Sequence, residues 1–96
     1  MPVISAIVTV RALPGKGPAL EADFAAYAEK VRASEPGTIL YTLNRSQEDP
    51  DLYYAIEIYQ DEAAMQAHMD NFQKAGGGTP GLFAGPPQIM TLTRIV

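Results

Sequence analysis

Apolar residues fall along the chain in runs whose spacing predicts six elements of secondary structure. The first run, residues 3–10, is rich in Val and Ile and stops at the turn signal Leu13-Pro14-Gly15, which predicts a strand. After Pro18 the apolar side chains recur at every third or fourth position, which predicts an amphipathic helix. They are Leu20, Phe24, Tyr27, Ala28 and Val31. This helix should stop at Glu35-Pro36-Gly37, because a residue before proline avoids the α region.

The second half of the chain contains two more strands, a helix and a final strand. Residues 38–45 and 52–60 predict the two strands, and the short polar turn between them predicts an antiparallel hairpin. Asp61 is a candidate N-cap for the second helix. The apolar stripe of that helix consists of Met65, His68 and Phe72, with Ala64 and Met69 alongside. A glycine- and proline-rich segment follows that is too irregular for a long element, and residues 88–96 predict the last strand.

The order βαββαβ predicts an α+β, ferredoxin-like fold, with both helices on one face of an antiparallel sheet. Ile56 and Ile58 alternate with Glu57 and Tyr59, so the third strand is largely apolar on both faces. We therefore expect a second subunit to cover the outer face, in a homodimer that packs sheet against sheet. The 96 residues suit one domain, residues 1–96, and a domain of this size gains stability from self-association.

Composition argues against several classes of function. The chain has no cysteine and one histidine, which excludes disulfides and thiolate metal sites and argues against a zinc site. A net charge of -4 argues against a nucleic-acid partner. No segment is long and apolar enough to span a membrane, and the apolar N-terminal run lacks the preceding basic residues of a signal peptide. We therefore predict a cytoplasmic protein.

Two ionisable side chains stand at apolar positions and are candidates for chemistry. His68 lies on the apolar stripe of the second helix and should point toward the sheet. It is either a core histidine with one ring nitrogen hydrogen-bonded, or a general base or hydrogen-bond donor in a pocket between helices and sheet. Glu57, if buried, must be paired or protonated. It is either part of a salt bridge or interface hydrogen bond, or an acid or base of the pocket.

The period of two along the third strand separates its side chains into two faces. Tyr53, Glu57 and Tyr59 share the polar and aromatic face, which we predict to be the pocket wall. The other face is aliphatic and is the predicted dimer seam. Aromatic side chains in the pocket would favour a small, flat aromatic ligand. The candidate binding residues are Tyr41, Tyr59, Tyr53, Phe24, Tyr27, Met65 and Phe72.

Three ordered pieces of the sequence resemble the antibiotic biosynthesis monooxygenase family of small dimeric α/β-barrel proteins. They are PGKGPALEADF, the Glu-Pro-Gly at residues 35–37, and a strand with Glu57 two residues before Tyr59, followed by Asp-Glu-Ala-Ala and His68. The resemblance implies a ferredoxin-like homodimer. Known activities of the family are oxidation of phenols and quinols by molecular oxygen without metal or flavin, haem breakdown, and isomerisation of small phosphorylated sugars.

The chain lacks three side chains of the family pattern. It lacks tryptophan and the first-strand asparagine that haem-degrading relatives use, which disfavours haem breakdown. After His68 it reads MDNFQK, without the second histidine that several quinol-oxidising and isomerase relatives carry. What that second histidine does in relatives is therefore in question for this chain.

We predict a cofactor-independent monooxygenase, an oxidoreductase that acts on a small phenol or quinol and holds no haem, flavin or metal. His68 would be the base or donor, Glu57 its partner or a second base, and Tyr59 and Tyr41 would position the ring. Two alternatives stay open. The first is a non-catalytic, dimeric small-molecule-binding or accessory domain, which the missing histidine and tryptophan favour. The second is an isomerase that uses the same base, against which the scarcity of basic residues near the pocket counts.

Overall fold

The computed structural model describes residues 2–96 and has the predicted β-α-β-β-α-β order. Its elements are β1 (Ile4–Arg11), α1 (Gly17–Ser34), β2 (Thr38–Arg45), β3 (Leu52–Tyr59), α2 (Glu62–Lys74) and β4 (Gln88–Thr93). The strands form one antiparallel sheet in the order β2-β3-β1-β4, which confirms the ferredoxin-like α+β fold. The sheet is open, with β2 and β4 at its edges.

The last strand is shorter than the sequence predicts. It ends at Thr93, whereas the predicted strand continued to residue 96. Thr93 pairs with Ile4, the first residue of β1, and one further backbone hydrogen bond, from the N–H of Arg94 to the carbonyl oxygen of Val3 at 3.0 Å, ends the pairing.

The first residues of both helices follow from the local sequence. Pro18 occupies the first turn of α1, where its missing N–H is not needed. The side chain of Asp61 caps α2 as predicted, since its Oδ1 accepts a hydrogen bond from the backbone N–H of Ala64 at 2.8 Å. His68 is the buried residue of α2. Within residues 2–96, neither helix has the length and apolar character that crossing a bilayer requires.

The strand register divides the side chains of β3 between two faces, as predicted. Glu57 lies opposite Ala6 of β1 and Tyr41 of β2, and all three point toward the helices. The neighbouring positions point away, and Tyr54 and Ile56 remain 37% and 38% exposed. The helix side therefore holds the buried polar groups.

The outer face of the sheet is an exposed apolar surface. Ile7 of β1 lies opposite both Ile56 of β3 and Met90 of β4, so apolar side chains form a row across three strands. We call the exposed apolar residues of this side the outer face. They are Leu40, Tyr54, Ile56, Met90 and Leu92.

The segment between α2 and β4, residues 75–87, folds back onto the end of β1. Phe83 forms an isolated β-bridge with Ala12, and the carbonyl oxygen of Leu82 accepts a hydrogen bond from the N–H of Leu13 at 2.8 Å. Three consecutive glycines, residues 76–78, all adopt positive φ at the start of this loop. The loop is thus anchored to β1 through Leu82 and Phe83. It leaves α2 through three residues whose backbone conformations only glycine adopts readily.

Gly37 sets the distance between the start of β2 and helix α2. A Cβ atom at this position would lie 2.6 Å from the Cβ of Ala64, much closer than carbon atoms pack. We predict that Gly37→Ala lowers the free energy of unfolding by about 1–3 kcal/mol, because strand and helix must separate. Urea denaturation measures this change.

Gly85→Ala is the matched control for this prediction. No atom lies within 4 Å of a Cβ built at Gly85. The control should range from unchanged to about 1 kcal/mol more stable, through the reduced freedom of the unfolded chain. If Gly37→Ala were as stable as Gly85→Ala, the close approach of β2 to α2 would be wrong.

Candidate functional site

A cavity of about 440 Å³ lies between the two helices, the inner face of the sheet and the loop 75–87. Val8, Val10 and Ile89 contribute its apolar floor, while Gly78 and Phe83 of the loop close one side. A volume of this order is typical of sites for small organic ligands. The cavity therefore lies on the helix side of the sheet, where the sequence analysis predicts the pocket.

Aromatic rings form the wall of the cavity around His68. Phe24 and Tyr41 stack with ring centroids 4.7 Å apart, and Tyr27 meets Phe72 edge to face at 5.5 Å. The ring of Tyr41 lies 4.9 Å from the imidazole of His68. Such contacts leave these rings few alternative rotamers, so the cavity has a largely fixed shape.

His68 is only 3% exposed, and each of its ring nitrogens faces a glutamate. Nδ1 lies 2.8 Å from Oε1 of Glu35, which is a hydrogen bond. Nε2 lies 4.0 Å from Oε1 of Glu57, which is beyond hydrogen-bond range. The two carboxylates contact different nitrogens, and in residues 2–96 no group of three His, Asp or Glu side chains could hold a metal ion.

Glu35 is buried at the C-cap of α1 and brings three elements together. Besides His68 of α2, the hydroxyl of Thr38 at the start of β2 donates to its Oε1 at 3.1 Å. The amide of Asn71, also on α2, donates to its Oε2 at 3.3 Å. Sequence patterns identify Glu35 only as part of the signal that ends the helix. The available clue was its charge, because a carboxylate is unfavourable at the negative end of a helix dipole.

Glu57 is 4% exposed and accepts a hydrogen bond from the hydroxyl of Tyr59. Burial raises the pKa of Glu57 above its usual value, and the charge of Glu35 acts in the same direction. The hydrogen bond from Tyr59 and the proximity of His68 oppose this rise in pKa. Burial and the charge of Glu57 also raise the pKa of Tyr59, so the phenol keeps its proton and remains a donor.

Tyr41 supplies a second protonated phenol at the cavity wall. Burial, followed by the charge of Glu57, raises the pKa of Tyr41 well above its usual value. Its hydroxyl is therefore a hydrogen-bond donor throughout the physiological pH range.

The structure brings most, but not all, of the predicted site residues together. Six of them line the cavity, namely Phe24, Tyr27, Tyr41, Glu57, His68 and Phe72. Tyr59 lies beneath the wall, fully buried, and touches the site through Glu57. Met65 is not part of the cavity wall, and Met69, one helical turn later, lines it instead.

Tyr53 also lies away from the cavity. Its hydroxyl donates to Oε2 of Glu21 at 2.5 Å, and its ring packs in a core cluster with Val10 and Leu20 but is not part of the cavity wall. Burial and the hydrogen bond to Glu21 raise the pKa of Tyr53 to about 12. The alternation along β3 places Tyr53 on the correct face, but at the end of the sheet that lies under the start of α1.

Comparisons with known proteins agree with the fold and cover the site. The sequence profile of the antibiotic biosynthesis monooxygenase family matches residues 3–74, which include Glu35, Glu57 and His68. No curated protein gives a significant match. The matched region ends at Lys74, the last residue of α2, so the loop 75–87 and β4 lie outside it.

Solved structures resemble the chain over nearly its whole length. A candidate antibiotic biosynthesis monooxygenase from Caulobacter crescentus is 32% identical, with a TM-score of 0.89, over 99% of this chain and 92% of the other. A protein from Pseudomonas aeruginosa is 30% identical, with a TM-score of 0.84, over 100% and 97%. A protein from Shewanella oneidensis is 25% identical, with a TM-score of 0.82, over 97% and 91%.

The raised pKa of Glu57 predicts a specific effect of pH on stability. A carboxyl group with a raised pKa binds its proton more tightly in the folded state than in the unfolded chain. Its stabilising contribution is complete below the unfolded pKa and is lost as pH rises through the folded pKa. We predict that Glu57→Gln, which cannot ionise, gains stability relative to the parent as pH rises from about 4 to about 7.

Urea denaturation of both proteins at several pH values measures this difference. Glu29→Gln is the control for loss of a carboxylate, because Glu29 lies on the exposed side of α1. Identical pH profiles for the two variants would show that burial does not raise the pKa of Glu57.

Proposed function

The chain belongs to the antibiotic biosynthesis monooxygenase family, and from this premise we propose that it oxidises a small phenol or quinol with molecular oxygen and without a bound cofactor. The family match and the related structures support a monooxygenase-like role. The observation that carries the proposal is His68, whose Nδ1 is hydrogen-bonded to Glu35, while its Nε2 has no hydrogen-bond partner among residues 2–96 and faces Glu57 at the cavity wall.

The lining of the cavity supports a flat aromatic substrate. Phe24, Tyr27 and Phe72 present ring faces and edges on which such a molecule stacks. The hydroxyl of Tyr41 is available to donate a hydrogen bond to a substrate oxygen. The apolar floor lowers the local dielectric, which strengthens electrostatic interactions inside the cavity.

His68 has the geometry of a general base. A neutral imidazole that donates its Nδ1 proton to Glu35 carries a lone pair on Nε2, which accepts the proton of a phenolic hydroxyl. An ionised Glu57 beside Nε2 stabilises the imidazolium that forms. The phenolate that remains is far richer in electrons than the phenol and transfers an electron to oxygen directly.

The reaction balances without an external reductant. Oxygen forms a bond to a ring carbon that carries hydrogen; loss of that hydrogen as a proton then breaks the O–O bond. One oxygen atom stays on the ring as a carbonyl, and the other leaves as water with the phenolic and ring hydrogens. Phenol and O₂ thus give quinone and water, and the substrate supplies all the electrons.

The outer face supports a second copy of the chain as the partner. Proteins of this family are commonly dimeric. The row of Met90, Ile7 and Ile56 runs across three strands, and two of these side chains are substantially exposed. Pairing two such faces buries them and completes a barrel from two open sheets. We therefore propose a homodimer that packs sheet against sheet.

Sedimentation measures the dimer directly. We predict that the parent protein sediments as a dimer at micromolar concentration and that Ile56→Lys sediments as a monomer, because an unpaired ammonium group is costly to bury. Ala67→Lys introduces the same side chain on the exposed side of α2 and should leave the dimer intact. A stable, folded monomer of the parent protein would refute this arrangement.

Oxygen uptake with a panel of phenols and quinols tests the activity. We predict that His68→Ala lowers turnover by about 100-fold to 10,000-fold, the usual contribution of a general base. If His68 serves only the core, the variant should instead lose roughly 1–3 kcal/mol of stability and keep its turnover per folded molecule.

Val31→Ala separates a loss of activity from a loss of stability. Val31 is fully buried on α1 and does not line the cavity. Its truncation should destabilise the protein by about 1–3 kcal/mol without lowering turnover per folded molecule. Absence of oxygen uptake with every substrate of the panel would leave a binding domain as the better description of the protein.

A further inference from the structure

We propose that Glu35 is a positioning residue, whose carboxylate fixes the tautomer of His68 that carries its proton on Nδ1 and keeps Nε2 free for a ligand. The catalytic consequence of this role rests on the function proposed above. The tautomer itself does not, because it is a property of the protein without substrate.

Three polar groups converge on the Glu35 carboxylate, and two of them, the Thr38 hydroxyl and the Asn71 amide, donate hydrogen bonds to it. Nδ1 of His68 and the hydroxyl of Thr38 contact Oε1, at 2.8 Å and 3.1 Å, and the amide of Asn71 contacts Oε2 at 3.3 Å. An ionised carboxylate only accepts hydrogen bonds, and both of its oxygens are engaged by donors. The proton between Glu35 and His68 therefore belongs to Nδ1.

The backbone holds Glu35 in place on both sides. Its N–H donates to the carbonyl oxygen of Val31 at 2.8 Å, and its own carbonyl oxygen accepts from the N–H of Thr38 at 3.1 Å. The close contact between Gly37 and Ala64 fixes the distance to the helix that carries His68. The carboxylate is thus preorganised, as a group that orients another must be.

Local stability does not explain a glutamate at this position. A negative charge at the C-terminal end of α1 opposes the helix dipole, and this carboxylate is also buried. Among residues 2–96, the ionisable side chain that contacts the Glu35 carboxylate is His68. A side chain that breaks local rules and points at one ionisable partner is better explained by that partner than by the helix.

The opposite side of the imidazole shows why the tautomer matters. Glu57 lies 4.0 Å from Nε2, so among residues 2–96 no hydrogen bond competes for this nitrogen. With the proton on Nε2, the ring would instead donate toward Glu57 and could no longer accept a proton at the cavity. Glu35 therefore decides which of two carboxylates the imidazole proton faces.

The chain offers a direct measurement, because His68 is its one histidine. Two-bond ¹H–¹⁵N correlation spectra of uniformly labelled protein report the two ring nitrogens without ambiguity. The spectra are followed upward in pH until the ring is neutral. We expect protonated Nδ1 and unprotonated Nε2 in the parent protein, and a mixture or the opposite tautomer in Glu35→Gln.

Each outcome of this measurement either supports or overturns the proposal. Protonated Nε2 in the parent protein overturns it, as does an unchanged tautomer in Glu35→Gln. If Glu35→Gln does not fold, the parent spectrum decides alone. Glu35→Asp, which keeps the charge on a shorter side chain, should retain more of the Nδ1 tautomer than Glu35→Gln. Glu29→Gln, on the same helix, should leave it unchanged.

Kinetics test the consequence for catalysis. Glu35 does not line the cavity, so Glu35→Gln should lower kcat and change KM little. The expected loss is at least about tenfold, toward the roughly 10⁴-fold that removal of an orienting carboxylate costs a serine-protease triad. A lower kcat with an unchanged tautomer overturns the positioning role. The expected tautomers without turnover of any phenol or quinol overturn the proposed function alone.

Discussion

The buried hydrogen bond between Glu35 and His68 is the constraint on which the rest of the site depends. It joins residues that lie 33 positions apart in sequence and connects the end of α1 to the middle of α2. A carboxylate with so little solvent contact is stable only while its donors stay in place. The chain therefore needs the Glu35-Pro36-Gly37 turn, the Gly37–Ala64 contact and the Asn71 amide together, because each of them helps to hold the carboxylate against the imidazole.

Strand β3 contributes side chains to two surfaces that have different roles. Its alternation places Glu57 and Tyr59 beside His68, and it places Tyr54 and Ile56 on the opposite side of the sheet. A shift of one residue in register would exchange the two faces and destroy both. The antiparallel pairing of β3 with β1 and β2 along its length specifies the register. The alternation of this one strand therefore contributes to both the polar site and the apolar outer face.

The sequence was sufficient for the fold because the fold rests on local signals. The apolar periods, the Asp61 cap and the turns at Pro14 and Pro36 identify the elements, and their order leaves few topologies. The alternation of apolar and polar residues along β3 was also enough to identify Glu57 as a candidate site residue. Periodicity did not identify Glu35, because a contact between residues 33 positions apart leaves no periodic pattern in the sequence. In addition, a glutamate before proline is already explained as the end of a helix.

The differences between the predicted site residues and the cavity wall have the same physical origin. Met65 and Met69 both lie near the apolar stripe of α2, and only the height of the helix over the sheet decides which one reaches the cavity. Tyr53 and Tyr59 share a face with Glu57, but the position of α1 covers one, and the hydrogen bond to Glu57 keeps the other beneath the wall. Periodicity assigns a residue to a face, whereas a binding site is defined by where along that face the covering elements leave space. Here that space lies between the two helices and the loop 75–87, around the one imidazole whose orientation the fold fixes.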